Sequence, residues 1–318
     1  MSRLLFGIEV PVVQAGMGGG LSGHALAAAV SDAGGLGTIG ATGGAAIARE
    51  LRAARALTGA PIAVNLLLPF ARRDWFEAAA AADVVVTFWG APRRRTPGAW
   101  MHQCGSVAEA NAAHAAGADA VIVQGVEAGG HVRGTVPALE LLERVRAQLP
   151  EEYPVLVAGG IADRRDVQGA LDAGADAAVA GTRFLLSDHS RAHHEYRRRL
   201  VEADATVLTE LFGAGWPAPH RVVPNAATER WLRDDRRGPA LNRALNRLLG
   251  PAVRYLPASL EQRAGRVQRP GSRLLGPMAP TDEGPDTLLD AGALYAGETV
   301  ARIHDIRSAA DLVSALTP

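Results

Sequence analysis

Residues 116–124 read AGADAVIVQ, and residues 173–180 read AGADAAVA, at an offset of 57 residues. Each copy sets a Gly after an Ala-rich amphipathic segment, then an Asp, then an apolar run. A helix ending in a left-handed glycine and followed by a buried strand has this pattern. Two units of about 28 residues span the offset, a length suited to a β-α repeat. Six further apolar runs lie outside these two: Pro11–Ala15, Gly35–Gly40, Pro61–Leu67, Asp83–Trp89, Trp100–Cys104 and Pro154–Ala158. The repeats supply Ala118–Gln124 and Ala175–Ala180. All eight are continuously apolar rather than alternating, as strands covered on both faces are. Between them, Ser22–Ala33, Gly44–Leu57, Arg73–Ala82, Ser106–Ala116, Val136–Leu149, Arg164–Ala173 and His189–Ala203 carry helical periodicity. Gly34, Gly59, Gly117 and Gly174 stand where helices end. Eight strands alternating with helices predict an α/β fold, a (β/α)8 TIM barrel.

One unit breaks the rhythm. Only APRRRTPGA separates Gly90 from Trp100, where a parallel crossover normally needs a dozen residues or more. This connection is read as extended or as a single turn. The texture also changes after residue 204, with more proline and Arg-rich helical pieces at Arg230–Arg237 and Leu241–Leu249. The division expected is a barrel over 1–204, completed by 291–318 through a helical stretch at Ala296–Leu316, with a helical accessory or lid region over 205–290.

Composition removes several chemistries. All 33 basic residues are arginine, so Schiff-base catalysis, pyridoxal phosphate attachment and a Walker P-loop lack their amine. The 33 acidic residues balance them to a formal charge of zero, which gives no electrostatic footprint for nucleic acid. The single Cys104 excludes an internal disulfide and a cysteine metal cluster. No signal-peptide pattern and no membrane-length apolar run is present. These features predict a soluble cytoplasmic protein without membrane partners, and a homodimer is the candidate assembly. No metal-ligand spacing occurs: His194-Glu195 lacks the second histidine of H-E-x-x-H.

Several motifs carry possible chemistry. Gly18–Gly23 matches G-x-G-x-x-G, but the second strand ends without the ribose-binding acid, so the loop is read as a ligand approach to strand 1. Gly159 and Gly160 follow the seventh strand, and Gly181 and Thr182 the eighth. In barrels these loops commonly bind phosphate through backbone amides. Asn65 and Gln124 end the third and sixth strands, either as turn residues or as amides facing a heterocycle. His131, in GVEAGGHVRG at 125–134, is the candidate general base, because it titrates near neutrality and lies past the sixth strand. Glu127 either orients it or is solvated. His102 and Cys104 share one strand face, as a nucleophile pair or as core. Phe88 and Trp89 end strand 4, one walling the mouth and the other packing outside. His24, His114, His193 and His194 are read as structural.

PVVQAGMGGG, PIAVNLLLP, VIVQGVEAGGHVRG, VLVAGGIA and AGTRF together resemble the nitronate monooxygenases, FMN-dependent barrels, over roughly residues 5–220, with a fainter likeness at YAGETVARIHDI. The resemblance implies oxidative denitrification of alkyl nitronates or nitroalkanes with O2 to a carbonyl compound and nitrite. It implies that Gly159, Gly160, Gly181 and Thr182 hold the FMN phosphate, and that Ala15, Gly16, Met17, Asn65 and Gln124 line the ring and ribityl chain. Gly129 and Gly130 would be bare so that backbone can approach the isoalloxazine, and His131 would be catalytic. The same pattern is similar to flavin-dependent NAD(P)H reductases of the enoyl-acyl-carrier-protein and quinone types. A non-redox barrel for phosphate ligands is the remaining alternative.

Overall fold

The computed structural model describes residues 5–40, 42–253 and 267–318. Its contacts divide into two units. The first holds the residues up to Ala128, Arg133–Arg191 and Asp305–Pro318; the second holds Gly129–Val132 and Ala192–His304.

The first unit is built on β1 (Val12–Gln14), β2 (Gly37–Gly40), β3 (Ile62–Leu67), β4 (Val84–Phe88), β5 (Ala99–Cys104), β6 (Ala120–Gln124), β8 (Val155–Ala158) and β9 (Ala177–Ala180). They form one parallel sheet, in the order β1-β9-β8-β6-β5-β4-β3-β2. A bridge between Val13 and Leu36 closes the ring. Gln14 extends the closure, because its side-chain Oε1 accepts the Thr38 amide at 2.8 Å, where a ladder carbonyl would otherwise serve. All eight predicted strands are present, and the fold is the (β/α)8 barrel. Alternate residues fill the interior, among them Val13, Leu36, Val86, Met101, Ile122 and Val179. Their neighbours pack outward under the helices: Val12, Val121, Val123, Val155 and Val157 on one side, Ile39, Val64 and Leu66 on the other.

Helices α1 (His24–Asp32), α2 (Gly44–Leu57), α3 (Arg73–Ala79), α4 (Val107–Ala115), α5 (Ala138–Arg146) and α6 (Arg164–Asp172) surround the strands. Gly34, Gly117 and Gly174 take φ of 89°, 80° and 95° after α1, α4 and α6, as the sequence requires. Gly59 does not, because α2 stops at Thr58 in an extended conformation and needs no left-handed residue. The connection between β4 and β5 is extended, yet the two strands still pair directly and in parallel. Trp89 at φ 58° and Gly90 at φ 132° reverse the chain at its start.

The repeat that discloses the fold has a physical basis at the N-terminal rim. Asp119 Oδ2 accepts the Trp100 amide at 2.8 Å and pairs with Arg94, which also donates to the Gly117 carbonyl. Asp176 Oδ2 accepts the Val155 amide at 2.8 Å and pairs with Arg146, which donates to the Gly174 carbonyl. Asp83 repeats the device with the Ile62 amide at 2.7 Å and Arg55. Each aspartate thus takes an amide at the start of the neighbouring strand, the first of β3 and β8 and the second of β5, and fixes its register. We expect Asp119→Ala to lower the unfolding free energy by about 1–2 kcal/mol. Combining it with Asp83→Ala and Asp176→Ala should be close to additive in urea titrations, because the three sites share no partner.

The second unit carries α8 (His194–Val201), α9 (Ala226–Trp231), α10 (Ala240–Val253) and α11 (Thr287–Ala291). It also carries an antiparallel sheet of β10 (Val207–Thr209), β11 (His220–Val222) and β7 (Gly130–His131). Within 205–290 the sequence shows helices but not β10 and β11, because three-residue runs are too short to show a period of two. The division between the units falls at Arg191/Ala192 and at His304/Asp305. The predicted helix at Arg230–Arg237 ends at Trp231. In the first unit, α12 (Ala309–Leu316) packs against α1 and α6. Arg183 secures the segment before it, donating through Nη1 to Asp305 Oδ1 at 2.5 Å and through Nη2 to the Asp305 carbonyl at 2.7 Å.

Candidate functional site

The C-terminal ends of the barrel strands gather most of the residues singled out in the sequence. Ala15–Met17 follow β1, Asn65 lies near the end of β3, Gln124 ends β6, Gly159–Gly160 follow β8, and Gly181–Thr182 open α7 (Thr182–Leu185) after β9. Alternation along β5 also turns Gln103 to the same face as Met101, inside the barrel. Sequence reading passed over Gln103 in favour of its neighbours His102 and Cys104, although a period-of-two count from Met101 selects it.

Those neighbours are structural. His102 and Cys104 face away from the barrel interior, beside Trp100 in the core under the helices. His102 Nδ1 lies 2.7 Å from Thr87 Oγ1, which also accepts from Trp100 Nε1 at 2.8 Å. Burial pushes the His102 imidazole down to about 4 and the Cys104 thiol well up. A reactive thiolate needs the opposite shift, so the pair is core.

The loop after β1 is pressed against its neighbours. A Cβ on Gly16 would stand 2.3 Å from Asn65 Cβ, and one on Gly40 would stand 2.0 Å from the Met17 carbonyl oxygen. Ser22 Oγ accepts the Met17 amide at 2.9 Å. Beyond it Gly18, Gly19 and Gly20 have no heavy atom within 4 Å of a would-be Cβ, so that face is open. The far end of the loop is clamped by Glu50. Its Oε2 accepts the first amide of α1, His24 N, at 2.9 Å, and binds Arg191 Nη2 at 2.9 Å. Burial alone would raise the Glu50 carboxyl, but hydrogen bonds from Arg191 and His24 outweigh it and hold the group at about 2. A folded-state value below the unfolded one contributes stability above pH 4.5 that is lost as pH falls toward 2. The wild-type chain should therefore lose roughly 3 kcal/mol more than Glu50→Gln over that window, read from urea midpoints at each pH.

Gly159 and Gly160 form the turn after β8 with φ of 114° and 77°, which side chains rarely adopt. Glu127 packs against this turn, with Cδ 3.3 Å from a would-be Gly159 Cβ. Its Oε1 accepts the first amide of α5, Ala138 N, at 2.9 Å. Pro137 at the N-cap has no capping side chain, and Glu127 supplies the missing acceptor. Both sequence readings of Glu127, orienting His131 or solvated, therefore give way to a helix-capping role. Gln124 Oε1 accepts the Arg133 amide at 2.8 Å. Arg133 in turn donates to Glu109 at 2.6 Å and covers the Trp89 ring at 4.8 Å. Phe88 is buried on the inward-facing register of β4, with Val84 and Val86.

Gly129, Gly130 and His131 belong to the second unit. The two glycines are bare for different reasons. A Cβ on Gly129 would stand 2.5 Å from the Gly297 amide and 2.6 Å from the Ala296 carbonyl carbon, so peptide packing excludes a side chain there. This packing is by itself a sufficient reason for glycine at position 129. Gly130 has nothing within 4 Å and takes φ 72°. His131 pairs with His220 across β7 and β11. Its imidazole stacks on Trp216 at 3.7 Å and 19°, with His220 and Tyr295 at 5.4 and 5.6 Å. Desolvation, then the neighbouring His220, holds the His131 imidazole well below its ordinary value, so the neutral base dominates at neutral pH. Among the described residues, no group of three or more His, Cys, Asp or Glu is placed to hold a metal, and no helix is long and apolar enough to cross a membrane.

The family model for nitronate monooxygenases matches residues 2–90 and 93–318. A nitronate monooxygenase from Pseudomonas aeruginosa is 36% identical over 264 residues, covering 64% of this chain and 75% of that protein. Two solved structures share the fold across nearly all of it. FabK from Thermotoga maritima has a TM-score of 0.76 at 28% identity, over 97% of this chain and 92% of that one. The nitroalkane oxidase from Streptomyces ansochromogenes has 0.75 at 29%, over 99% and 96%. The chain belongs to the nitronate monooxygenase family, a family of flavin-dependent oxidoreductases.

Proposed function

We propose that this protein oxidises alkyl nitronates, and the nitroalkanes they derive from, to a carbonyl compound and nitrite with O2, using FMN. The observation that carries the reading is His131, an imidazole kept neutral inside an aromatic nest in a chain of this family. A neutral base can take the α-proton of a neutral nitroalkane.

The barrel residues fit FMN. The paired glycines 159 and 160 take φ of 114° and 77° and carry no side chain of their own at this turn. A Cβ on Gly181 would find its nearest neighbour, Ala15 Cβ, only at 3.7 Å, which leaves room for an anionic group at this turn. Gly159, Gly160, Gly181 and Thr182 would hold the phosphate. Ala15, Gly16, Met17, Asn65 and Gln124 would line the ring and ribityl chain. When bound, the cofactor supplies electron acceptance and reaction with O2. The residues of this chain orient the substrate, exclude water and move the proton at His131 Nε2 or Nδ1. A cytoplasmic setting belongs to the same reading and rests on the lone buried thiol, Cys104.

The likeness to FabK and to a nitroalkane oxidase is equally strong, so fold alone does not choose between oxidase and reductase. Anaerobic mixing of the purified holoprotein with an alkyl nitronate, and separately with NADH and NADPH, does. We expect the nitronate to bleach the flavin absorbance without pyridine nucleotide. Rapid bleaching by NADH or NADPH alone would replace this reading with the reductase. A colourless protein that takes up no FMN would point to the non-redox barrel.

A further inference from the structure

The imidazole of His131 is placed by its backbone and by one ring. Val132 N, the next amide, donates to the Pro219 carbonyl at 2.9 Å, which ties β7 to the loop GAGWPAPH at 213–220. Within that loop Trp216 N donates to the Gly213 carbonyl at 3.0 Å, and Ala218 N to the Trp216 carbonyl at 2.8 Å. Pro217 and Pro219 fix φ on either side of Ala218. The indole of Trp216, 9% exposed, is thereby held parallel to the imidazole at 3.7 Å.

We propose that Trp216 is a positioning residue for proton transfer: its indole fixes the plane of the His131 imidazole and keeps water off one of its faces. The proposal rests on His131 being the base.

The charged groups nearby do not compete for this role. His220, at 5.4 Å, is pinned neutral: Nδ1 donates to the Ala218 carbonyl at 2.9 Å and Nε2 accepts the Phe212 amide at 3.2 Å. Protonating it would break the second bond, and burial holds it at about 4, against the opposing effects of the Ala218 carbonyl and then Glu210. Arg221, the next residue of β11, points to the opposite face by alternation and pairs with Glu298 at 2.9 Å. Tyr295 is pushed up by burial and donates to the Pro277 carbonyl at 3.1 Å. An indole face also attracts an imidazolium, an effect equivalent to about one pH unit. Full burial moves a histidine by up to about 3–5 pH units the other way. Exclusion of water therefore wins, and removing the indole should raise the titration of His131.

The test compares kcat/KM for a neutral nitroalkane against pH in the wild-type holoenzyme, Trp216→Phe, Trp216→Leu and His131→Asn, each with its FMN content measured. Trp216→Leu should move the acid limb up by about one pH unit or more and cut kcat about tenfold. Turnover of a preformed nitronate, which needs no proton removed, should fall less. Trp216→Phe keeps a ring on the imidazole and should restore the wild-type limb. If Trp216→Leu does not fold, Trp216→Met, also ringless but flexible enough to adapt to the site, takes its place. An acid limb unmoved in the ringless variant, with His131→Asn inactive on the nitroalkane, would overturn the role of Trp216 and leave the base in place. Unchanged turnover in His131→Asn would instead remove the base itself, whatever Trp216 does.

Discussion

His131→Asn is expected to retain FMN and lose about 10²–10⁴-fold in turnover of neutral nitroalkanes, the range that a positioned acid or base contributes. Asparagine preserves size and polarity at β7, so the pairing of Gly130 and His131 with Arg221 and His220 survives the change. What disappears is the proton acceptor. A preformed nitronate has already lost its proton, and its turnover should suffer far less. The wild-type pH profile follows from the same environment. Desolvation keeps the imidazole neutral well below the 6.5 of a free histidine. The rate on neutral nitroalkanes should therefore stay flat from pH 8 down through 6.5 and fall only at lower pH. Steady-state oxygen uptake with both substrate forms, across pH, checks both statements. Equal losses on nitroalkane and nitronate would show that His131 holds the anion rather than taking the proton.

Gly37→Ala should be the most damaging single methyl in the barrel. A Cβ at position 37 would stand 1.8 Å from the Ala27 carbonyl oxygen and 2.5 Å from its carbon, so the obstacle is helix backbone that has no rotamer to change. Helix α1 would have to lift from β2, opening the core cluster that Ala27 and Ile39 share. Overpacking of this kind typically costs about 1–3 kcal/mol, and more where backbone cannot relax. Against a total stability of about 5–15 kcal/mol, we expect a loss of at least about 3 kcal/mol and low recovery of folded protein. Gly169→Ala, on α6 with no neighbour within 4 Å, is the control and should stabilise by about 0.5–1 kcal/mol. Guanidinium midpoints for the two variants decide the matter. A Gly37→Ala protein as stable as the wild type would show that α1 is free to slide.

Position 37 also shows the limit of reading from sequence. GLGTIG was legible as a strand from its apolar content, but nothing local says which glycine faces a helix carbonyl. The same holds at GGH. Two adjacent glycines correctly marked a special backbone, yet Gly130 is needed for its left-handed φ while Gly129 is needed because the Ala296–Gly297 peptide lies against it. That partner is more than 160 residues away in the chain.

The chain alone determined the barrel. Buried parallel strands are continuous apolar runs, left-handed helix ends select glycine, and an Asp that takes an amide at the start of the neighbouring strand recurs within the repeat, so each signal is local. It also marked the glycine turns at the strand ends and the histidine, because those residue types are costly elsewhere. Only the tertiary structure decided that Glu127 caps α5, that His102 and Cys104 are core, and that Trp216 covers His131. Each of these is set by a partner distant in sequence, through contacts that short-range periodicity does not encode.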